Sequence, residues 1–146
     1  MSKGDTFEND LLKLIFNNTA VALVGDASGL QPSAAAGFLY VSLHTGDVGE
    51  AGVQTTSEAA YTGYSRIGIT RTSGGWTVTN NTVAPTTFPV SFPACTGGTA
   101  TVGYFAVGTS TSGAGKVLYK GSLSPVITVT NGITPQLASG TYITED

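Results

Sequence analysis

The side chains with the most versatile chemistry gather in one short segment near residue 45. His44, the one histidine of the chain, is followed by Asp47 and Glu50. Imidazole and carboxylate groups are common metal ligands. However, the spacing of these three residues matches no established metal-binding loop, and Gly46 and Gly49 explain the segment equally well as a turn. We therefore predict a turn that follows a strand, with no metal ion and no cofactor.

Other catalytic patterns are incomplete. No Gly-X-Ser-X-Gly motif presents a serine nucleophile. Gly108 and Gly113 have the glycine spacing of a phosphate-binding loop, but alanine and not lysine follows Gly113. Glu58 lies close in sequence to Tyr61 and Tyr64, which leaves glycan cleavage as an alternative, although a chain of this size is a poor host for it. We predict no catalytic residues and a protein that is not an enzyme.

The composition limits the function further. Only 10% of the 146 residues are charged, and the net charge is −3, whereas ordinary soluble domains carry about 25% charged residues. The six basic residues are scattered along the chain, so no cluster is predicted to bind nucleic acid. Cys95 is alone, so no internal disulfide is predicted. The N-terminus is too polar for a signal peptide and no apolar run could span a membrane, so we expect synthesis in the cytoplasm.

One helix is predicted, over residues 5–17. Its apolar side chains recur with helical spacing at Phe7, Leu11, Leu14 and Ile15, and Leu12 and Phe16 widen that face. Asp5 or Thr6 is expected to cap its N-terminus, and Asn17 and Asn18 suit its end. A short helix needs a docking surface, which is either the protein's own β-domain or a neighbouring subunit.

The rest of the chain predicts short strands separated by glycine and asparagine turns. Residues 19–25 either extend the helix or form a first short strand, and residues 26–37 form a loop. In residues 64–71, Ile67 and Ile69 are expected to point inward and Arg66 to the opposite face. The predicted strands cover residues 38–45, 64–71, 76–80, 87–92, 101–107, 116–120, 125–130 and 141–144.

About eight strands predict an all-β fold. The expected architecture is an antiparallel β-sandwich, with a jelly roll as the favoured arrangement. We expect an N-terminal helix or arm over residues 1–25 and a β-sandwich over residues 26–146, in one compact domain overall.

Three segments of the chain resemble small virion proteins of tailed bacteriophages. They are MSKGDTFENDLLKLIFN, LYVSLHTGDVGEAGVQTTSEAAYTGYSRIGITRTSGGWTV and FPACTGGTATVGYFAVGTSTSGAGKVLY. The most specific piece is LYVSLHTGDVGEAG followed by EAAYTGYSR. Members of this group are often labelled tail fibre, and some resemble capsid cement (decoration) proteins with a jelly-roll fold. The family pattern often has proline where Val48 stands, which affects the stiffness of the turn.

The resemblance implies a structural virion protein without catalytic residues. We expect a cement protein on the outer surface of the head, which bridges neighbouring major capsid subunits and associates with itself, as a dimer on two-fold axes or as a trimer. A fibre shaft is expected to show repeats, and the sequence has none. The predicted contact residues are Phe7, Leu11, Leu14 and Ile15 in the arm, and Asp47, Glu50 and Tyr61 in the loop 46–62.

Two alternatives remain. A tail-fibre or receptor-binding module would form trimers, bind glycans of the host surface and ignore empty heads. An enzyme or an unrelated β-domain is the third possibility, and polysaccharide cleavage is its simplest test.

Overall fold

A computed structural model describes residues 2–145 of the chain. Its sheets are mostly antiparallel, with antiparallel pairing of β1 with β6, β3 with β4, β4 with β9, β5 with β8 and β6 with β7. The predicted all-β class with one N-terminal helix is confirmed. The jelly-roll arrangement stays a prediction. No helix in the described residues is long and apolar enough to cross a membrane. The elements are α1 (Asp5–Asn17), β1 (Phe38–His44), β2 (Ile67–Thr70), β3 (Trp76–Thr79), β4 (Thr82–Pro85), β5 (Val90–Ser91), β6 (Ala100–Gly108), β7 (Val117–Val129), β8 (Gln136–Leu137) and β9 (Ile143–Thr144).

The strands form three sheets, with the orders β2-β1-β6-β7, β3-β4-β9 and β5-β8. By its internal contacts the chain divides into two compact units. Unit 1 contains Met1–Phe38, Ile69–Thr87 and Ser139–Asp146, and unit 2 contains Leu39–Gly68 and Phe88–Ala138. The predicted organisation, with an arm that ends at residue 25 and one domain overall, stays a prediction.

In unit 1, the helix α1 has the predicted limits but a different buried face. Leu12 and Phe16 are fully buried, and the ring of Phe16 packs edge-on against Trp76 of β3, with 4.8 Å between ring centroids. Phe7, on the predicted face, is 38% exposed. Leu12 and Phe16, which were expected only to widen the apolar face, are therefore at the centre of the buried face. Leu12 and Phe16 lie one helical turn apart, so they fall on one line along the helix.

The ends of α1 correct one prediction and confirm another. The N-cap residue is Gly4, and no side chain makes a capping hydrogen bond, so the prediction that Asp5 or Thr6 caps the helix is wrong. The C-cap is Asn18 in the left-handed conformation, with φ 52°, as its amide side chain favours. Residues 19–25 form neither more helix nor a strand, because only Val21 pairs, in an isolated bridge with Leu30.

The β3–β4 hairpin of unit 1 turns at Asn80 and Asn81, as predicted, and pairs Thr79 with Thr82. The strand β4 was not predicted. The strand predicted over residues 87–92 shrinks to Val90–Ser91, because its two flanking prolines cannot donate hydrogen bonds to a ladder.

In unit 2, β1 and β6 form the centre of the four-stranded sheet, and Leu43 lies opposite Phe105. One face of β1 buries its apolar residues, as predicted, but the other face is also buried at Ser42 and His44. The predicted strands 116–120 and 125–130 form one long strand, β7. Its pairing with β6 shifts register between Ser122, which is opposite Tyr104, and Ile127, which is opposite Val102. Pro125 lies within this irregular segment, and a β-bulge there accommodates it.

Candidate functional site

A two-point ion pair in unit 2 joins Arg66 to Glu58. The Arg66 Nε and Nη2 atoms each donate to one Glu58 carboxylate oxygen at 2.7 Å. The guanidinium also donates to the carbonyl oxygens of Ser110 at 2.9 Å and Gly113 at 2.7 Å. The side chain of Arg66 is only 2% exposed. The prediction that Arg66 lies on the face opposite Ile67 missed its role, which is to hold the loop before β7 against residue 58.

Tyr64 extends this network. Its hydroxyl donates to Glu58 Oε1 at 3.0 Å and accepts from the Leu43 backbone N–H at 3.0 Å. Burial raises the pKa of Tyr64 far above its usual value, so the hydroxyl keeps the proton that it donates. The strand predicted over residues 64–71 covers only Ile67–Thr70, and the backbone N–H of Tyr64 instead donates to the Tyr61 carbonyl oxygen at 3.1 Å, in a turn before the strand.

Ser42 and His44 form a hydrogen-bonded pair in the same unit. Ser42 Oγ lies 2.8 Å from His44 Nε2, and His44 Nδ1 lies 2.8 Å from the carbonyl oxygen of Thr56. The carbonyl can only accept, so Nδ1 carries the proton and Ser42 donates to Nε2. Burial lowers the pKa of His44, which favours this neutral form.

The pair does not have the geometry of a hydrolytic site. A backbone carbonyl, and not a carboxylate, orients the imidazole. Both Ser42 and His44 are 0% exposed, so a substrate cannot reach the serine oxygen in this conformation. Through the hydrogen bond from His44 to the Thr56 carbonyl oxygen, the pair connects β1 to the segment around Thr56.

The three residues considered as metal ligands do not come together. His44 is buried, whereas Asp47 and Glu50 form ion pairs with Lys120 of β7 at 3.0 and 3.2 Å. The Gly49 backbone N–H and the Lys120 ammonium lower the pKa of Asp47. Among the described residues, no group of three or more His, Cys, Asp or Glu side chains could hold a metal ion.

The predicted contact residues differ in exposure. Leu11, Leu14 and Ile15 are half-buried and Glu50 is almost fully exposed. Tyr61 is 3% exposed and donates to the Pro93 carbonyl oxygen at 3.0 Å. Their role in binding a partner stays a prediction.

Unit 1 contains a polar pocket with a volume of about 410 Å³. Five side chains from the first turns of α1 and from the β3–β4 turn line it, namely Asp5, Thr6, Asn9, Asn80 and Asn81. Carboxylate, hydroxyl and amide groups can hydrogen-bond a small polar ligand. Sequence reasoning did not find this pocket, because about 70 residues separate its two sides.

Arg71 organises the other end of α1. Its Nη2 and Nε donate to the carbonyl oxygens of Leu14 at 2.8 Å and Ile15 at 2.6 Å. Its Nη1 lies 3.2 Å from Ser33 Oγ and 3.2 Å from the Ala36 carbonyl oxygen. The last carbonyls of a helix have no partner within the helix, so Arg71 satisfies two of them and ties the following loop to α1. No sequence signal marks these partners.

One protein-family model matches residues 2–144, and its description is "Podophage GP4 fiber I protein gp80". No curated protein matches the chain.

Proposed function

Because the chain belongs to the podophage GP4 fiber I protein gp80 family, we propose that it is a structural subunit of a phage fibre. The family match carries this proposal, since it extends over residues 2–144. It makes the chain a phage virion protein of the fibre type. The finer assignment, to a tail fibre that contacts the host, was our alternative to a capsid cement protein and is now the preferred one.

The geometry supports a role in binding and assembly rather than in catalysis. Glu58 and Arg66 satisfy each other, and the one serine–histidine pair that we identified is enclosed. These polar groups stabilise the protein's own loops. Contacts with other virion proteins then depend on the exposed side chains.

One observation favours a second candidate function. The sequence has no internal repeat, whereas elongated shafts are commonly built from repeats. This would suit a cement protein that binds the outer head surface and bridges major capsid subunits, with self-association as a dimer or trimer.

Fractionation of virions distinguishes the two candidates. Particles are separated into heads and tails, and the chain is quantified in each fraction by mass spectrometry, with the major capsid protein as the head control. We expect the chain to purify with the tails and their fibres. Recovery with tail-free heads, in a fixed ratio to the major capsid protein, would reject the fibre assignment in favour of the cement assignment.

A further inference from the structure

The polar pocket of unit 1 contains three side chains whose hydrogen-bonding groups the protein does not use. They are the carboxylate of Asp5, the hydroxyl of Thr6 and the amide of Asn80. Within residues 2–145, none of these three side chains makes a hydrogen bond or an ion pair. A single exposed polar side chain is ordinary on a protein surface. Here three of them converge on one cavity from two elements, α1 and the β3–β4 turn.

Local structure does not account for all three side chains. The helix dipole favours a carboxylate at Asp5, but the N-cap residue is Gly4 and no side chain caps the helix, so the Thr6 hydroxyl has no capping role. Asn80 has φ 54° in the β3–β4 turn, a conformation that glycine adopts at least as readily. The turn therefore uses the backbone of Asn80 and leaves its amide available to a ligand.

The other two lining residues hold the walls of the pocket in place. The Asn9 amide donates to the Asn80 carbonyl oxygen at 2.9 Å and accepts from the Lys13 ammonium at 3.0 Å. The Asn81 amide donates to the Glu145 carbonyl oxygen at 3.2 Å, and the Glu145 backbone N–H donates to the Asn81 carbonyl oxygen at 2.8 Å. A site whose walls are already fixed loses little conformational entropy on binding.

The lining of the pocket excludes several ligand classes. It contains a carboxylate and no Lys, Arg or His, in a chain with a net charge of −3, which disfavours an anion. A Ca²⁺ ion takes six to eight oxygen ligands, usually with several carboxylates, whereas Asp5 is the one carboxylate here and the N-terminal end of a helix repels cations. An apolar ligand would bury these polar groups without partners.

A neutral ligand rich in hydroxyl groups satisfies the lining best. Each ligand hydroxyl can donate to the Asp5 carboxylate, and it can both donate to and accept from the Thr6 hydroxyl and the Asn80 amide. The volume of about 410 Å³ lies within the range of about 300–1,000 Å³ that is usual for small-molecule pockets. Saccharides are the neutral biological ligands that present several hydroxyl groups on one compact ring.

We propose that this pocket binds one unit of a neutral saccharide through Asp5, Thr6 and Asn80. The proposal goes beyond the proposed function, which assigns no ligand to the chain. None of the five lining side chains is aromatic, so hydrogen bonds of small net energy supply the affinity. We therefore expect a dissociation constant on the order of 1–10 mM.

NMR titration of the full chain tests this proposal. The probes are glucose, galactose, mannose and N-acetylglucosamine, and binding is followed by saturation transfer to the sugar and by shifts of the protein amide signals. The pocket variants are Thr6→Val, which is isosteric, and Asn80→Gly, which keeps the positive φ. The control is Thr101→Val, at an exposed threonine of β6 in unit 2.

We expect at least one sugar to bind and to shift the amide signals of residues 5–9 and 80–81. Each pocket variant should raise its dissociation constant about three- to tenfold, the effect of one lost hydrogen bond, and Thr101→Val should leave it unchanged. The amide spectra of the variants also report whether they remain folded.

Three results would overturn the proposal. They are the absence of binding by every sugar at about 50 mM, a dissociation constant that neither pocket variant raises, and shifts at these residues that inorganic phosphate or Ca²⁺ produces and no sugar does. Each result would leave the fibre assignment intact, because virion fractionation tests that assignment independently. Recovery of the chain with heads would, in turn, leave the sugar titration unaffected.

Discussion

Glu58 and Arg66 form a largely buried ion pair in unit 2. Each carboxylate oxygen of Glu58 accepts from the guanidinium at 2.7 Å, and the remaining Arg66 donors go to backbone carbonyls. When one partner of a buried ion pair is removed, the other is left as an uncompensated charge, and such losses are large.

We predict that Glu58→Gln lowers the free energy of unfolding by about 3 kcal/mol, since the amide keeps the shape but not the charge. The matched control is Glu50→Gln, at a carboxylate that is 96% exposed, where we expect no measurable change. Urea denaturation of both variants gives the comparison. Equal stability of the two variants would mean that Arg66 finds sufficient partners in the carbonyls of Ser110 and Gly113.

We predict that the free energy of unfolding depends on pH because His44 titrates differently in the folded and unfolded chain. Its pKa is lowered in the folded protein by burial from an ordinary value of 6.5, so the unfolded chain binds the proton first as the pH falls. Stability is therefore unaffected by this group well above pH 6.5. It falls below pH 6.5 by up to about 1.4 kcal/mol per pH unit and stops falling below the folded pKa.

Denaturation of wild-type and His44→Asn proteins at several pH values between 8 and 5 measures this effect. Asparagine can keep a hydrogen bond to the Thr56 carbonyl but does not titrate. The variant should be less stable at pH 8 and should lack the wild-type decline between pH 6.5 and 5. Parallel pH profiles would show that His44 is not the group responsible.

The sequence was least informative about these single residues. Arg66 was assigned to a strand face and Arg71 was recognised only as one of the scattered basic residues, but the partners of both were missed, because most of them are backbone carbonyls that no sequence pattern identifies. Arg71 reaches Leu14 across 57 positions of the chain. Asp47 and Glu50 were correctly noticed as neighbours, but their partner Lys120 lies on a strand that is adjacent only in the folded protein.

At the scale of elements, α1 shows how periodicity finds a helix but not its docking face. The predicted limits match the observed helix, because helical spacing and the asparagines at its end are local signals. Leu11 and Leu12 are chemically identical and adjacent. Leu12 lies on the same line of the helix as Phe16, whose ring packs against Trp76 of β3, and this tertiary contact is not visible in the sequence.

The face of α1 gives a direct prediction. Leu12→Ala should lower the free energy of unfolding by about 2–5 kcal/mol, because the side chain is fully buried. Phe7→Ala, at a residue that is 38% exposed, should cost much less. Urea denaturation followed by the fluorescence of Trp76, the one tryptophan, reports the docking of α1. If Phe7→Ala lowered the free energy of unfolding more than Leu12→Ala, the buried face of α1 would be the one predicted from the sequence.

The strand β7 shows why the strand boundaries were harder to predict. Pro125 and the small residues before it resemble a turn in the sequence, yet they form a bulge within one 13-residue strand. As the outer strand of its sheet, β7 carries Lys120 and Pro125, features that hinder the addition of a further strand. Assembly through side-chain surfaces is therefore more compatible with this edge than assembly by strand pairing.

At the scale of the whole molecule, the low charge and the strand pattern predicted an all-β protein correctly. They did not distinguish a cement protein from a fibre protein, because both classes need a stable β-scaffold with exposed contact surfaces and neither needs a catalytic group. The family match, over residues 2–144, indicates a phage structural protein of the fibre type, and it is the reason why we prefer the fibre proposal.

Immunogold electron microscopy of intact virions, with antibody raised against the purified chain, tests the central claim most directly. Antibody absorbed beforehand with the same purified chain is the control for specificity. The fibre assignment predicts gold particles on appendages of the tail and an unlabelled head. Gold distributed over the head in many copies, with unlabelled fibres, would contradict it.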